Sequence, residues 1–243
     1  MSTLVYAHRG ASGYFPENTI EAFEEAVRMG AAGVELDVHI CRSGELVVAH
    51  DETVDRVSDG TGFIRDLSLA ELKSLRFNRT HPFCKNARIP LLSEVFQLLR
   101  SSGLGINIEL KNSIIDYPDL ERRTLEEVDR YFCRSRVLFS SFNHHSMLRM
   151  KRLDASVQCG LLYEAVLVRP WEYARRLGMD AIHPHYSEVL FPAGECTSAH
   201  AAGVRVNTWT VNTPEDMEAV CREGADILIT NFPDQALKIT ARG

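Results

Sequence analysis

Residues Gly33–Asp51 read GVELDVHICRSGELVVAHD. Val34, Leu36 and Val38 alternate with Glu35, Asp37 and His39. That period of two marks a strand whose carboxylates share one face. The Arg42-Ser43-Gly44 stretch reads as a tight turn, and Leu46-Val47-Val48-Ala49 returns from it to His50-Asp51. A turn closing over Arg42-Ser43 sets His50 opposite Glu35, and one closing over Ser43-Gly44 sets it opposite Asp37. Either register brings an imidazole beside two acids. A solvated hairpin is the plain explanation, and a metal site with a proton-transfer group beside it is the specific one.

The flanking chain alternates strand and helix patterns. Leu4–Ala7 is a buried strand ending at His8-Arg9-Gly10. Asn18, with Glu21 three residues on, reads as the cap of a helix that stops at Gly30. After residue 90 the rhythm continues with helix 93–101, strand 105–111, helix 118–132, strand 137–142, helix 144–152, strand 157–163 and helix 170–177. Strand 180–183, helix 195–202 and strand 204–209 follow. A helix opened by Thr213 and Pro214, strand 226–230 and a helix from Pro233 complete the pattern. Leaving the hairpin return aside, eight strands are each followed by a helix. At 243 residues this predicts an α/β fold of the closed (β/α)8 TIM-barrel type spanning 1–243 as one domain. Residues 52–90 break the rhythm and read as an insertion, with a short capped helix from Ser68. An open doubly wound sheet is the alternative. Its dinucleotide-binding form is weakened because no Gly-x-Gly-x-x-Gly follows the first strand.

Parallel barrel strands are normally apolar on both faces. Here Glu35, Asp37, Glu109 and Lys111 face the direction opposite to their aliphatic neighbours, and charge aimed into a barrel is costly unless paired or metal-bound. Strand C-terminal ends are where barrels carry their chemistry. Glu35, Asp37 and Glu109 form a hard oxygen set suited to one Mg²⁺ or Ca²⁺. Arg9 and Lys111 add phosphate-binding charge, and they also pair naturally with those acids. His8 and His50 supply the side-chain type best suited to general acid and base near neutrality.

The ordered motifs His8-Arg9-Gly10, Pro16-Glu17-Asn18-Thr19, Glu35-Leu36-Asp37-Val38, His50-Asp51, Glu109-Leu110-Lys111 and Trp209-Thr210-Val211-Asn212 resemble those of the glycerophosphodiester phosphodiesterases. The resemblance spans essentially the whole chain. It implies a (β/α)8 barrel hydrolysing glycerophosphodiesters to sn-glycerol 3-phosphate and an alcohol with a divalent cation. It also implies metal ligands Glu35, Asp37 and Glu109, catalytic His8 and His50, phosphate contacts from Arg9 and Lys111, and Trp209 against the substrate. The family often carries Thr-x-Asp-Gly at the hairpin turn, where this chain has Cys41-Arg42-Ser43-Gly44. Glu17 is expected to support Arg9 or the metal shell, and Asn18 to act as a helix cap. His39 is read as a bystander, and Phe142, Tyr163 and His185 as candidates to line the alcohol pocket. Alternatives are a lysophospholipase D-like or phospholipase C-like enzyme, and a phosphate-binding barrel without turnover.

Composition narrows the partners. A net charge of −6 disfavours nucleic acid and anionic membranes. The six cysteines (Cys41, Cys84, Cys133, Cys159, Cys196, Cys221) form no Cys-x-x-Cys pair, as expected of reduced thiols in a cytoplasmic protein. Met1-Ser2-Thr3 begins no basic, apolar leader, and no run approaches a membrane span. The expected partner is a small-molecule glycerophosphodiester.

Overall fold

The computed structural model describes residues 2–131, 134–191 and 193–241. Met1, Phe132 (where the helix expected from 118 ends) and Cys133 lie outside them.

The chain opens with β1 (Leu4–His8), α1 (Ile20–Met29) and β2 (Gly33–Ile40), and β3 (Leu46–Val48) is the hairpin return. Next come α2 (Leu69–Ser74), α3 (Leu92–Leu99), β4 (Gly105–Leu110) and α4 (Leu120–Tyr131). Then follow β5 (Val137–Ser141), α5 (His144–Leu153), β6 (Gln158–Tyr163), α6 (Pro170–Arg176) and β7 (Ala181–Pro184). The chain ends with α7 (Tyr186–Leu190), α8 (Glu195–Ala201), β8 (Arg205–Thr208), α9 (Pro214–Glu223), β9 (Ile227–Thr230) and α10 (Pro233–Thr240). The sheet order is β1-β9-β8-β7-β6-β5-β4-β2, and β1 pairs with β2 to close it. Every barrel pairing is parallel, and β3 attaches antiparallel to the overhanging end of β2. This is the expected eight-stranded barrel with the return strand outside the count.

Period-two alternation divides each strand between two environments. Val34, Leu36 and Val38 of β2 and Ile106, Ile108 and Leu110 of β4 are buried with Phe23, Phe96 and Leu92 in the shell between sheet and helices. Each such side chain contributes about 1.5–3 kcal/mol by leaving water. Inside the barrel the Tyr6 ring forms a floor beneath many polar side chains. A Cβ on Gly33 would lie 2.4 Å from the Tyr6 ring, and one on Gly105 2.0 Å from its hydroxyl, so both glycines make room for Tyr6. Above that floor Glu35, Asp37, Asn107, Glu109, Ser140, His183 and Asn207 are all buried.

Local chemistry starts and stops the helices as the sequence implies, with one correction. Ser68 and Glu71 form the capping box of α2, Thr213 caps α9 by accepting from the Asp216 amide, and Gly30 ends α1 in the left-handed region. The cap of α1 is Thr19 and not Asn18: the Thr19 hydroxyl accepts from the Ala22 amide, and the buried Asn18 side chain turns elsewhere.

The segment between β3 and α3 has its own small core. Val54, Val57, Ile64, Leu72, Phe77 and Ile89 pack with Cys41, Val47 and Ala49 of the hairpin. It therefore rests on the outer face of the return strand.

Candidate active site at the barrel mouth

Strand register assembles most of the site. His8 is level with Glu35 across β1 and β2, and Asp37 is level with Glu109 across β2 and β4. Glu35, Asp37 and Glu109, all buried, each place a carboxylate oxygen within 4.8 Å of the others. Asp37 Oδ1 is buried with no hydrogen-bond partner. An unpaired buried carboxylate oxygen carries a desolvation cost that a ligated cation removes. Three hard oxygens and one orphan atom thus fit a hard divalent cation.

Two cations border the acids. Lys111 Nζ lies 2.8 Å from Glu109 Oε1 and 3.8 Å from Asp37 Oδ1. Arg9 donates through its backbone amide to Glu35 Oε2 (3.0 Å) and through Nη1 to Glu17 Oε1 (2.8 Å), with Nε 3.5 Å from Asp37 Oδ2. Glu17 supports Arg9 as expected. Asn18 donates to Asp37 Oδ2 at 2.8 Å, so this residue read as a cap instead steadies a carboxylate of the cluster.

The acids are shifted in different directions. Burial, then the charges of Asp37 and Glu109, push Glu35 well above the usual carboxylate range. Burial and Asp37 raise Glu109, with Lys111 opposing. Burial also acts upward on Asp37, but His50, Arg9, Lys111 and the Asn18 amide outweigh it and hold Asp37 below its ordinary value.

The two histidines reach the cleft by different routes. His8 ends β1, and its Nδ1 lies 2.7 Å from the Asn231 side-chain oxygen, which also accepts from Ser12. Nδ1 must therefore donate, which leaves Nε2 as the acceptor nitrogen, 3.9 Å from Glu35 Oε2. Burial, then Arg9, hold His8 down to about 3, so its imidazole is neutral.

His50 arrives in neither expected register. Cys41 and Glu45 close a three-residue turn, Arg42-Ser43-Gly44, with Gly44 at φ 101°. That length pairs His39 with Val47 and sets Ala49, whose amide donates to the Asp37 carbonyl, opposite Asp37. The turn is one residue longer than either expected register requires, because Gly44 takes the positive-φ position of a three-residue loop. Continued as a strand, His50 would face the helices with Leu36. The ladder instead ends at Val48, and the chain bends so that His50 lines the cleft with His8, Arg9, Glu35 and Glu109. His39 Nε2 lies 3.1 Å from the His50 carbonyl, and its Nδ1 lies 3.0 Å from the Tyr117 hydroxyl. His39, read as a bystander, is a buried anchor for that bend. Its parity with Asp37 is visible in the sequence, but its partner is not.

The opposite wall is apolar. Phe142, Leu162, Trp209 and Ile229 face the charged side. Trp209 Nε1 donates to the His183 carbonyl (2.9 Å), and its ring meets Phe142 and His185 edge-on at 5.5 and 5.4 Å. Tyr163 does not line this cleft: it is buried, and its hydroxyl donates to Glu195. Leu162, one residue earlier and of opposite parity, takes the place expected of it.

A closed parallel barrel with a buried acid triad, two cationic side chains and two imidazoles at its C-terminal mouth defines a class: a barrel enzyme with a charged site at the strand ends. The model of the "Glycerophosphoryl diester phosphodiesterase family" matches residues 8–235, and the chain belongs to that family. It is 40% identical over 247 residues to the glycerophosphodiester phosphodiesterase of Caldanaerobacter subterraneus subsp. tengcongensis, covering 100% of both chains. Identity to the Bacillus altitudinis glycerophosphodiester phosphodiesterase is 36%, with 98% of each chain covered. Among solved structures, an Oleispira antarctica phosphodiesterase in complex with the product sn-glycerol-3-phosphate superposes with TM-score 0.92 at 28% identity, over 100% of this chain and 98% of that one. A Thermotoga maritima glycerophosphodiester phosphodiesterase gives TM-score 0.81 at 28% identity, over 98% and 99%. Among the described residues no helix is long and apolar enough to cross a membrane.

Proposed function

We propose that this protein hydrolyses glycerophosphodiesters to sn-glycerol 3-phosphate and an alcohol, using one divalent cation, Mg²⁺ or Ca²⁺. The observation that carries the reading is the buried Glu35–Asp37–Glu109 cluster with the acceptor nitrogen of His8 beside one of its oxygens. A cation held by those three carboxylates would supply positive charge to the phosphate oxygens.

Arg9 and Lys111 bind the phosphate and balance charge on its non-bridging oxygens. His8 Nε2 accepts the proton of the attacking hydroxyl. The new P–O bond forms to that oxygen while the P–O bond to the alcohol breaks, and His50 gives the departing alkoxide its proton. The attacking hydroxyl belongs to water, or to glycerol C2, in which case water then opens the resulting cyclic phosphate. Trp209 and Phe142 pack against the carbon skeleton of the substrate. The product bound in the Oleispira antarctica structure supports this substrate class.

The chain acts as a single barrel domain, with residues 52–90 as an insertion. A cytoplasmic location is consistent with the free thiols of Cys41, Cys84, Cys159, Cys196 and Cys221. The net charge of −6 argues against nucleic acid as a partner.

The test is to incubate the purified protein with glycerophosphodiesters of choline, ethanolamine, glycerol and inositol, with and without Mg²⁺ or Ca²⁺, and to measure released sn-glycerol 3-phosphate. Metal-dependent release is expected from at least one. No release from any with either metal removes the reading. The apolar wall of the cleft favours a second reading, head-group removal from lysophospholipids. Release of lysophosphatidate at a higher kcat/KM than sn-glycerol 3-phosphate would establish it.

A further inference from the structure

One arginine outside the barrel touches neither the acid cluster nor the imidazoles, yet it is bonded to the supports of both sides of the cleft. Arg56 lies in a small ribbon of the insertion, where Thr53 bridges Phe63 and the Val54 amide donates to Gly62. Its Nη1 and Nη2 donate to Glu17 Oε2 and Oε1, each at 2.7 Å. Its Nε and Nη2 donate to Asp51 Oδ2 and Oδ1 at 2.7 and 3.0 Å. All four carboxylate oxygens of the two acids therefore accept from one guanidinium.

Each acid holds a group of the site with what remains. Glu17 Oε1 also accepts from Arg9 Nη1, and Asp51 Oδ1 accepts from His50 Nδ1 at 2.6 Å. The result is a continuous chain, Arg9–Glu17–Arg56–Asp51–His50, running from the barrel's first strand through the insertion to the return strand. Glu17 is mostly buried and Asp51 is about one-quarter exposed. A planar fork with donors on two edges satisfies this geometry, whereas an ammonium, with three donors on one nitrogen, cannot pair two-fold with both carboxylates.

We propose that Arg56 is a positioning residue that couples the two sides of the site: through Asp51 it holds His50 with Nδ1 protonated, and through Glu17 it holds the Arg9 guanidinium in place. Nε2 of His50 is then the nitrogen that gives and takes the proton. The insertion thereby acquires a task beyond covering the return strand. This inference rests on the reading of His50 as general acid and Arg9 as phosphate ligand, but its structural half is measurable without turnover.

Two variants test it, Arg56→Ala and Arg56→Lys, each checked by thermal melting and assayed as metal-loaded full-length protein. The first readout is the imidazole ¹⁵N spectrum of His50, assigned by the resonances lost in His50→Gln. The wild type is expected to show the Nδ1-protonated tautomer, and both variants a mixture of tautomers. The second readout compares two leaving groups. On glycerophosphocholine kcat should fall about 10–100-fold in both variants, the range typical of lost orienting partners. On the p-nitrophenyl diester of glycerol phosphate kcat should change little, because nitrophenolate departs without a proton. KM should rise on both substrates as Arg9 loosens. An unaltered His50 tautomer in Arg56→Ala overturns the proposal, as does an equal loss of kcat on the two substrates or full activity in Arg56→Lys. If the wild type turns over no glycerophosphodiester, the functional reading fails, and the ¹⁵N spectrum alone decides the role of Arg56.

Discussion

The two sides of the cleft are built differently. One side is borne on strands: His8, Glu35, Asp37 and Glu109 are placed by parity and register, and Arg9 and Lys111 follow directly on the strand ends. Their side chains are at most one-sixth exposed. The other side is borne on chain that has left the ladder: His50 and Asp51 are about one-third and one-quarter exposed and are held by hydrogen bonds to His39 and Arg56. Backbone pairing fixes the acids and His8 of the first side, whereas single side chains fix the second. The strand-borne side should therefore be sensitive to its charges, and the loop-borne side to its supports.

Chelation is the harshest way to break the strand-borne side. Thorough EDTA treatment is expected to reduce glycerophosphodiester turnover to background, and Mg²⁺ or Ca²⁺ to restore it. Undiminished activity after chelation would remove the cation from the reaction. Exchanging the histidines comes next. His8→Ala should lower kcat about 10²–10⁴-fold on every substrate, because the attacking hydroxyl always needs a base. His50→Ala should do so for choline or glycerol but far less for p-nitrophenol. Equal losses across those leaving groups would sink the division of acid from base.

A smaller effect probes how the loop-borne side is held. His39→Phe preserves a buried ring but removes the bond to the His50 carbonyl. About a tenfold loss of kcat with little change in KM is expected, in line with other orienting contacts. A change confined to KM would mean that His39 serves substrate binding instead.

The mildest test concerns the barrel interior below the site. His183 is fully buried, and burial, then Arg205, hold it down to about 3 against an ordinary 6.5. The native imidazole stays neutral while the unfolded chain takes up a proton below pH 6.5. Unfolding thus binds protons, and stability must fall as pH drops from 6.5 toward 3. For this one group the slope approaches about 1.4 kcal/mol per pH unit. Urea unfolding between pH 6 and 4.5 should show a shallower slope by about that amount in His183→Asn. Parallel slopes would show that His183 titrates alike in both states.

The sequence by itself determined the strand-borne side. Alternation in Gly33–Val38 and Gly105–Leu110 is a property of the backbone pleat, so it assigns Glu35, Asp37 and Glu109 to one face before any fold is known. Eight strand–helix repeats at this length then leave a closed barrel as the economical arrangement, and a barrel gathers its strand ends at one mouth. The hairpin was legible as a hairpin but not in its register, because Arg42-Ser43-Gly44 serves a two- or a three-residue turn and one residue reverses every side chain. Nor could the sequence assign Asn18 to Asp37, His39 to the His50 carbonyl, Tyr163 to Glu195, or Arg56 to both Glu17 and Asp51. These contacts join residues up to 39 positions apart through side chains alone. No periodicity reports such pairs, since they depend on where separate elements come to rest. Local pattern chose the charged face, and tertiary packing chose what steadies each charge.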